Sequence, residues 1–227
     1  MEGDFSEYNT TIYEKKLWEM TIDKINEFIT PDMDALDLGA MSGDMAKKLN
    51  FKTMVLVDTN FLSQEEIPGT MYVTCDIEGF VKHTSHKYDF VLMVRTIEHL
   101  HSPYAVLNNL YKLLNPKGKI FILYPNARSL NRILGAELGL IKTPYDLSES
   151  DIKSGHRHMY DYQFIEELEW KTGGKYEVID NGGFLFKPLP LKEMQYYFRD
   201  DIELFVFLGT KFHPKIAAEL WCLIEKI

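Results

Sequence analysis

The sequence predicts an α/β fold in which a doubly wound parallel sheet carries helices on both faces. Short apolar runs, several rich in valine or isoleucine, alternate along the first half of the chain with longer amphipathic segments. Such runs are typical of strands buried on both faces of a parallel sheet, and their alternation with helices predicts right-handed βαβ units. The segment Leu36–Asp44 also combines a strand end, a glycine turn and a helix start, as expected beside a ligand site in such a sheet.

Five strands are expected before residue 125, because each segment is a nearly continuous apolar run. They are Ala35–Leu38, Thr53–Val57, Met71–Cys75, Phe90–Val94 and Lys119–Tyr124. The intervening helices are predicted at Tyr13–Phe28, Asp44–Leu49, Ser63–Glu66, Glu78–His83 and Pro103–Leu114. The last helix is followed by Asn115–Gly118, whose proline and glycine are a helix stop signal.

The pattern becomes less regular after Tyr124. Further helices are predicted at Ser129–Leu140, Tyr162–Trp170 and Leu191–Phe198, and further strands at Tyr176–Ile179 and Leu220–Ile224. The segment Ile202–Leu208 fits either a helix or a strand, because its periodicity does not separate the two. The polar stretch Lys142–Tyr160 is long for a plain connection and is interpreted as a lid or a binding loop.

Composition narrows the class of protein. The 227 residues include 25 Lys and Arg against 34 Asp and Glu, a formal net charge of −9. This balance argues against nucleic-acid and anionic-membrane partners, both of which need a positive surface. Cys75 and Cys222 lie far apart in apolar runs, which favours buried thiols in a reducing compartment. The N-terminus lacks a signal-peptide core and no apolar run approaches the roughly 18 residues of a membrane span, so a cytoplasmic protein is expected.

The sharpest local signal is the turn Gly39–Gly43 at the end of the first predicted strand. Gly39 permits a backbone conformation that other residues resist, and Gly43 allows close packing at the helix start. A dinucleotide fingerprint would need glycine in place of Met41 and Asp44, and an acid at the helix start would repel a pyrophosphate. No GxxxxGK[ST] phosphate loop is present either. The turn therefore favours a nucleoside ligand without phosphates.

Three acidic residues support this interpretation. Asp58 ends the second strand at a spacing of 58 − 39 = 19 residues from Gly39, close to the roughly 20 residues at which ribose-binding acids occur. Its carboxylate suits the two ribose hydroxyls. Asp76 suits an adenine amino group, and Asp37 suits a ligand ammonium group. Three carboxylates around one pocket predict a positively charged nucleoside.

These residues carry a family resemblance. The segments Asp37–Gly43, Tyr88–Pro103 and Leu113–Gly118, with Asp58 and Asp76, resemble class I S-adenosylmethionine-dependent methyltransferases. The group containing the quinone-biosynthesis methyltransferases is the most similar, since its segment after strand four reads like Leu-Glu-His. The resemblance covers Ala35–Asn126 well. It continues more loosely through Gly155–Tyr160 and Gly182–Leu189.

The resemblance implies a Rossmann-like, seven-stranded sheet of order 3-2-1-4-5-7-6 with an antiparallel last strand. It implies one domain over residues 1–227, with an N-terminal helical segment at 1–30 and insertions at 127–160 and 184–215 that cap the substrate side. Met41 departs from the family pattern, which has a third glycine there. The cofactor S-adenosyl-L-methionine would be bound by Asp37, Gly39, Ala40, Met41, Gly43, Asp58, Thr59, Asp76, Ile77 and Val94, and by Tyr13 from the N-terminal helix.

Methyl transfer to a hydroxyl also needs a base, and histidine has a suitable pKa. His99 follows strand four, and His156 and His158 lie in the segment that roofs the substrate pocket in the family. These three histidines are the predicted catalytic residues. Each also has a structural interpretation, as a cap at the turn for His99 and as loop residues for His156 and His158. A metal site formed by His156, His158 and His101 lacks a matching carboxylate motif, so no metal is predicted.

The sequence thus predicts a methyltransferase acting on a small molecule, most of all on a hydroxyl of a sugar or natural-product scaffold. No nucleic-acid or membrane partner is expected, and a homodimer is left open. Two alternatives remain. One is a regulatory protein that binds the cofactor without turnover, and the other is an NAD-dependent oxidoreductase.

Overall fold

A computed structural model describes residues 11–61, 66–212 and 214–227. Seven strands form one sheet of order β3-β2-β1-β4-β5-β7-β6. Strands β1 to β5 pair in parallel, whereas β7 is antiparallel to both β5 and β6. The predicted strand order and antiparallel last strand are confirmed. The strands are β1 (Asp34–Leu38), β2 (Thr53–Asp58), β3 (Thr70–Thr74), β4 (Tyr88–Val94), β5 (Leu114–Pro125), β6 (Tyr176–Phe186) and β7 (Ala217–Lys226).

Eight α-helices of the described residues surround the sheet. They are α1 (Ile12–Asn26), α2 (Ile77–His83), α3 (Pro103–Leu113), α4 (Leu130–Glu137), α5 (Glu149–Lys153), α6 (Tyr162–Lys171), α7 (Leu191–Tyr197) and α8 (Ile202–Phe207). A short 3-10 turn, Ile97–His99, follows β4. In the described part of the chain, no helix is both long and apolar enough to cross a membrane.

Two apolar layers enclose the sheet. On one face, α3 buries Val106, Leu107 and Leu110 against the strands. On the other face, α1 buries Tyr13 and Leu17. Both layers bury whole side chains, so the central strands are apolar on both sides, as the sequence pattern predicts.

The topology positions a site at the carboxyl ends of the central strands. β1 lies between β2 and β4, and the chain order reverses there, so the loops after β1 and β4 diverge to opposite faces. Leu38 is level with Val57 of β2, and Asp37 with Leu92 of β4. The residues after these strands therefore meet at one edge of the sheet.

The helix predicted at Asp44–Leu49 is wrong. The chain makes consecutive turns there, with hydrogen bonds from Lys48 and Leu49 to the Met45 carbonyl at 3.0 Å. Consecutive turns already bury Met45, Ala46 and Leu49 in the core, so this segment needs no regular helix to satisfy its apolar side chains.

Other elements keep their predicted type with changed ends. The strand expected at Tyr176–Ile179 extends to Phe186, and Ile202–Phe207 is a helix. The polar stretch Lys142–Tyr160 contains α5. The predicted helix Ser63–Glu66, except its last residue, lies outside the described residues.

Candidate active site

The turn after β1 depends on backbone conformations that favour glycine. Gly39 has φ +83° and Gly43 has φ +75°. A Cβ on Gly39 would lie 2.5 Å from Thr96 Oγ1, a distance that real Cβ atoms do not reach. The Thr96 hydroxyl is fixed there because it donates to the Leu38 carbonyl at 2.7 Å. Met41 adopts φ +48°, so the backbone keeps the left-handed conformation that glycine favours even where glycine is absent.

Asp58 and Asp37 stand at the ends of β2 and β1. Asp58 accepts hydrogen bonds from the backbone N–H groups of Met41 at 2.9 Å and Asn60 at 3.1 Å. These bonds orient the carboxylate and leave further acceptor capacity on its oxygens. Asp37 is buried, and its burial, with the nearby charge of Asp58, raises the pKa of its carboxyl group to about 7. Ionised Asp37 would be stabilised by a cationic ligand.

A crevice of about 380 Å³ opens beside Asp58, and we call it the acidic crevice. This size is within the range of small-molecule sites. Asp76 reaches it from the start of α2, where its Oδ1 accepts from the Gly79 backbone N–H at 2.6 Å. Asp76 is therefore also a helix cap. The acidic crevice is lined by Asp58, Thr59, Asp76, Ile77, Glu78, His99, Leu100, His101 and Arg157.

Five predicted site residues meet in this crevice. The sequence placed Asp58, Thr59, Asp76 and Ile77 in the binding site and His99 in the catalytic site, and all five line one cavity. Other predicted residues lie on or directly after the neighbouring strands β1 and β4. They are Asp37, Gly39, Ala40, Met41, Gly43 and Val94.

Tyr13 is the predicted site residue that the structure places in a packing position. Its side chain is fully buried, and its hydroxyl donates to the Phe198 carbonyl at 2.6 Å. Its ring meets Phe205 edge-on with centroids 6.2 Å apart. These contacts join α1 to the segment containing α8. Tyr13 is not among the residues that line the acidic crevice.

The predicted catalytic histidines lie close to the crevice. The rings of His99 and His156 are edge-on with centroids 4.8 Å apart. The backbone N–H groups of Arg157 and His158 donate to the Glu98 carbonyl at 2.8 and 3.2 Å. The chain from Gly155 onward is thus held on the 3-10 turn after β4. We call Glu98, His99, His156 and His158 the histidine cluster.

Glu98 is the most unusual member of the histidine cluster. It is 2% exposed, and neither carboxylate oxygen has a hydrogen-bond partner in the described part of the chain. Burial raises the pKa of its carboxyl group to about 8. Nδ1 of His156 and Nε2 of His158 are also buried without hydrogen bonds. Buried polar atoms are normally paired with protein groups, ordered water or an ion, so this group of atoms marks a place where water, an ion or a ligand supplies the missing partners.

The neighbouring charges are arranged in pairs. Arg95 forms an ion pair with the buried carboxylate of Glu219 on β7. Arg132 lies 3.3 Å from a carboxylate oxygen of Asp151. Lys187 has a lowered pKa, mainly because it is buried. The charge of Glu219 raises this pKa and the charge of Arg95 lowers it further.

Sequence reasoning missed Glu98 and this charged shell. A usable signal exists for Glu219, which interrupts the apolar run of β7, because charged residues are rarely buried unless paired. Glu98 gives a similar signal, because it is a charged residue directly after the apolar Ile97. Asp151 carries none, because it lies in a polar stretch.

Comparison with known proteins gives one family. The family model described as a methyltransferase domain matches residues 12–179. By sequence alone, no curated protein matches the chain.

Solved structures share the fold. An S-adenosylmethionine-dependent methyltransferase from Archaeoglobus fulgidus is similar at TM-score 0.60 and 16% identity, over 93% of this chain and 94% of that one. The plantazolicin methyltransferase BamL, solved with a desmethyl substrate analogue and S-adenosylhomocysteine (SAH), has TM-score 0.58 and 15% identity, over 97% and 86%. The N-methyltransferase NodS from Bradyrhizobium japonicum WM9 has TM-score 0.56 and 11% identity, over 99% and 92%.

Proposed function

We propose that this chain, which belongs to the methyltransferase domain family and is a class I S-adenosylmethionine-dependent methyltransferase, methylates a hydroxyl of a small molecule. The acceptor class is a sugar or a natural-product scaffold. The proposal depends most on the position of His99. This residue lines the acidic crevice and also belongs to the histidine cluster, so the proposed nucleoside site lies directly beside the candidate bases.

The crevice residues fit S-adenosylmethionine. The ligand is cationic and has no phosphate, and the crevice offers carboxylates at Asp58 and Asp76 with the apolar side chains of Ile77 and Leu100. Asp58 keeps acceptor capacity beyond its two backbone hydrogen bonds. The buried carboxyl group of Asp37 gains a partner when an ammonium group approaches.

The roles follow from these positions. In S-adenosylmethionine binding, Asp58 would hold the ribose hydroxyls, Asp76 and Ile77 would hold the adenine, and Asp37 would pair with the ammonium group. The turn Gly39–Gly43, with Ala40 and Met41, and Val94 would hold the methionine part, and Thr59 would hold the ribose side. When bound, S-adenosylmethionine supplies an activated methyl group.

The chain's own contribution to the reaction is alignment and proton removal. An acceptor hydroxyl must lose its proton as it attacks the methyl carbon, and a buried imidazole can accept that proton. Burial lowers the pKa of both His99 and His156, which keeps them neutral and able to accept a proton near pH 7. The buried, unpaired Nε2 of His158 makes it the third candidate.

Fold similarity does not select the acceptor atom. NodS is an N-methyltransferase, and the CurJ carbon methyltransferase is also similar in structure, with TM-score 0.53 and 15% identity. The proposal for oxygen therefore depends on the histidines. A hydroxyl needs a base during transfer, whereas a neutral amine is nucleophilic before it loses a proton.

Two measurements test the proposal. Thermal unfolding with SAH is expected to shift upward, since a ligand that binds only the folded state stabilises it, and NAD is expected to cause no shift. Labelled methyl donor is then offered with matched acceptors that carry a hydroxyl or an amine on the same scaffold. Label in the hydroxyl compound supports the proposal. A shift with NAD alone would identify an oxidoreductase, and label only in the amine would exclude the oxygen acceptor.

A further inference from the structure

The carboxylate of Glu98 lies in a place that is costly for an unpaired charge. It is almost completely buried, and both oxygens lack a hydrogen-bond partner among the described residues. An isolated carboxylate in such surroundings either takes up a proton or is matched by a cation. A proton would still leave the remaining acceptor capacity of the group unmet.

Two imidazoles converge on the same carboxylate. One ligand atom each from Glu98, His99 and His156 lies within 4.8 Å of the other two. The geometry points to a site for a divalent transition-metal ion formed by Glu98, His99 and His156. Two imidazoles and one carboxylate are a donor set suited to zinc, cobalt and iron(II), and three protein ligands leave coordination positions open.

Polar groups lie beside both histidines. Asp151 Oδ1 lies 3.5 Å from Nδ1 of His156, which places a negative charge next to that ring without a hydrogen bond to it. His99 makes a hydrogen bond to the backbone of Gly155. A carbonyl that engages one ring nitrogen fixes the tautomer and leaves the other nitrogen for a metal.

The surrounding positive charges do not forbid a cation. Arg95 is ion-paired with Glu219, although its charge also acts on Glu98, and Arg132 lies beside Asp151. Arg157 is exposed to solvent, which screens its charge. Lys187 has a pKa lowered by burial, so its neutral form is more accessible than that of a surface lysine.

The site would also refine the proposed reaction, and that part depends on the proposed function. A hydroxyl oxygen bound to a divalent ion loses its proton more readily. Metal binding itself does not depend on this chemistry, so it is tested separately.

The test is a titration of the full chain with Co²⁺ after treatment with a chelator. We expect one Co²⁺ per chain and visible d–d absorption. Glu98→Gln and His156→Asn should each abolish the absorption, and Asp151→Asn should weaken Co²⁺ binding by about 10–100-fold, as for other outer-shell partners. His86→Asn is the matched control and should leave the absorption unchanged, because His86 is exposed and lies outside both the acidic crevice and the three-residue site.

Two outcomes would contradict the metal site. One is the absence of saturable Co²⁺ binding by the wild-type chain, and the other is absorption that persists in both Glu98→Gln and His156→Asn. The thermal shift with SAH is recorded for every variant to show that it is folded. If Glu98→Gln does not fold, His156→Asn decides the result. Co²⁺ binding without methyl transfer to any hydroxyl would leave the site standing and contradict the proposed acceptor, so the two failures differ.

Discussion

The acidic crevice and the histidine cluster lie side by side but differ in how their polar groups are satisfied. In the crevice, Asp58 and Asp76 accept hydrogen bonds from backbone N–H groups within a few residues or in the neighbouring turn. In the cluster, Glu98 and Nδ1 of His156 are buried without hydrogen bonds. The carboxylates of the crevice are thus oriented by the backbone, whereas the cluster keeps buried polar atoms without partners. Substitutions that change one region and leave the other intact separate the two.

The largest effect is expected for Gly39→Ala, which distorts the backbone turn beside the acidic crevice. The new Cβ would meet Thr96 Oγ1 at 2.5 Å in a left-handed conformation. Strain and overpacking together should lower the free energy of unfolding by about 3 kcal/mol or more. Denaturant unfolding measures the loss. Gly139→Ala is the control, because it has φ +70° but nothing within 4 Å, and should cost only about 1–2 kcal/mol. Equal losses would contradict the packing argument.

The next effect concerns Asp58→Ala. Loss of a charge-assisted hydrogen bond costs roughly 1.5–3 kcal/mol, so affinity for SAH should fall at least about tenfold by calorimetry. Co²⁺ absorption should stay unchanged, because the proposed metal ligands lie in the cluster. Asp180→Ala, a half-exposed acid on β6, should alter neither quantity. Unchanged SAH affinity in Asp58→Ala would remove Asp58 from the cofactor site.

The smallest effect is a pH dependence through Asp37. Its pKa is raised from 3.8 to about 7 in the folded protein, mainly by burial. The folded state therefore holds the proton more tightly than the unfolded chain, and ionisation costs stability as pH rises between these values. If the ionised form holds the ammonium group, SAH affinity should increase up to about tenfold per pH unit below 7 and level off above it.

Calorimetry from pH 5.5 to 8 measures this slope. Asp37→Asn cannot ionise, so its SAH affinity should vary less with pH than that of the wild type. An identical slope in the two proteins would assign the pH dependence to another group. Such a result would also leave Asp58 and Asp76 as the acids on which the cofactor depends.

The fold was largely predictable because its signals are local. Buried parallel strands are continuous apolar runs, and their order followed from the family resemblance carried by the strand-end motifs. The segment Asp44–Leu49 was mispredicted because its apolar residues serve the core equally well from consecutive turns. Nothing in α1 itself reveals that Tyr13 contacts Phe198 and Phe205.

The turn at Gly39 and the acids that end or follow the neighbouring strands are encoded locally, because parallel strands bring their carboxyl ends to one edge of the sheet whatever the loops do. The histidine cluster and its charged shell form only when distant segments of the chain pack together. Glu98, His156 and Glu219 come from distant parts of the chain, and their burial without enough partners is a property of packing. Burial depends on every segment that covers a side chain, and no local pattern encodes that.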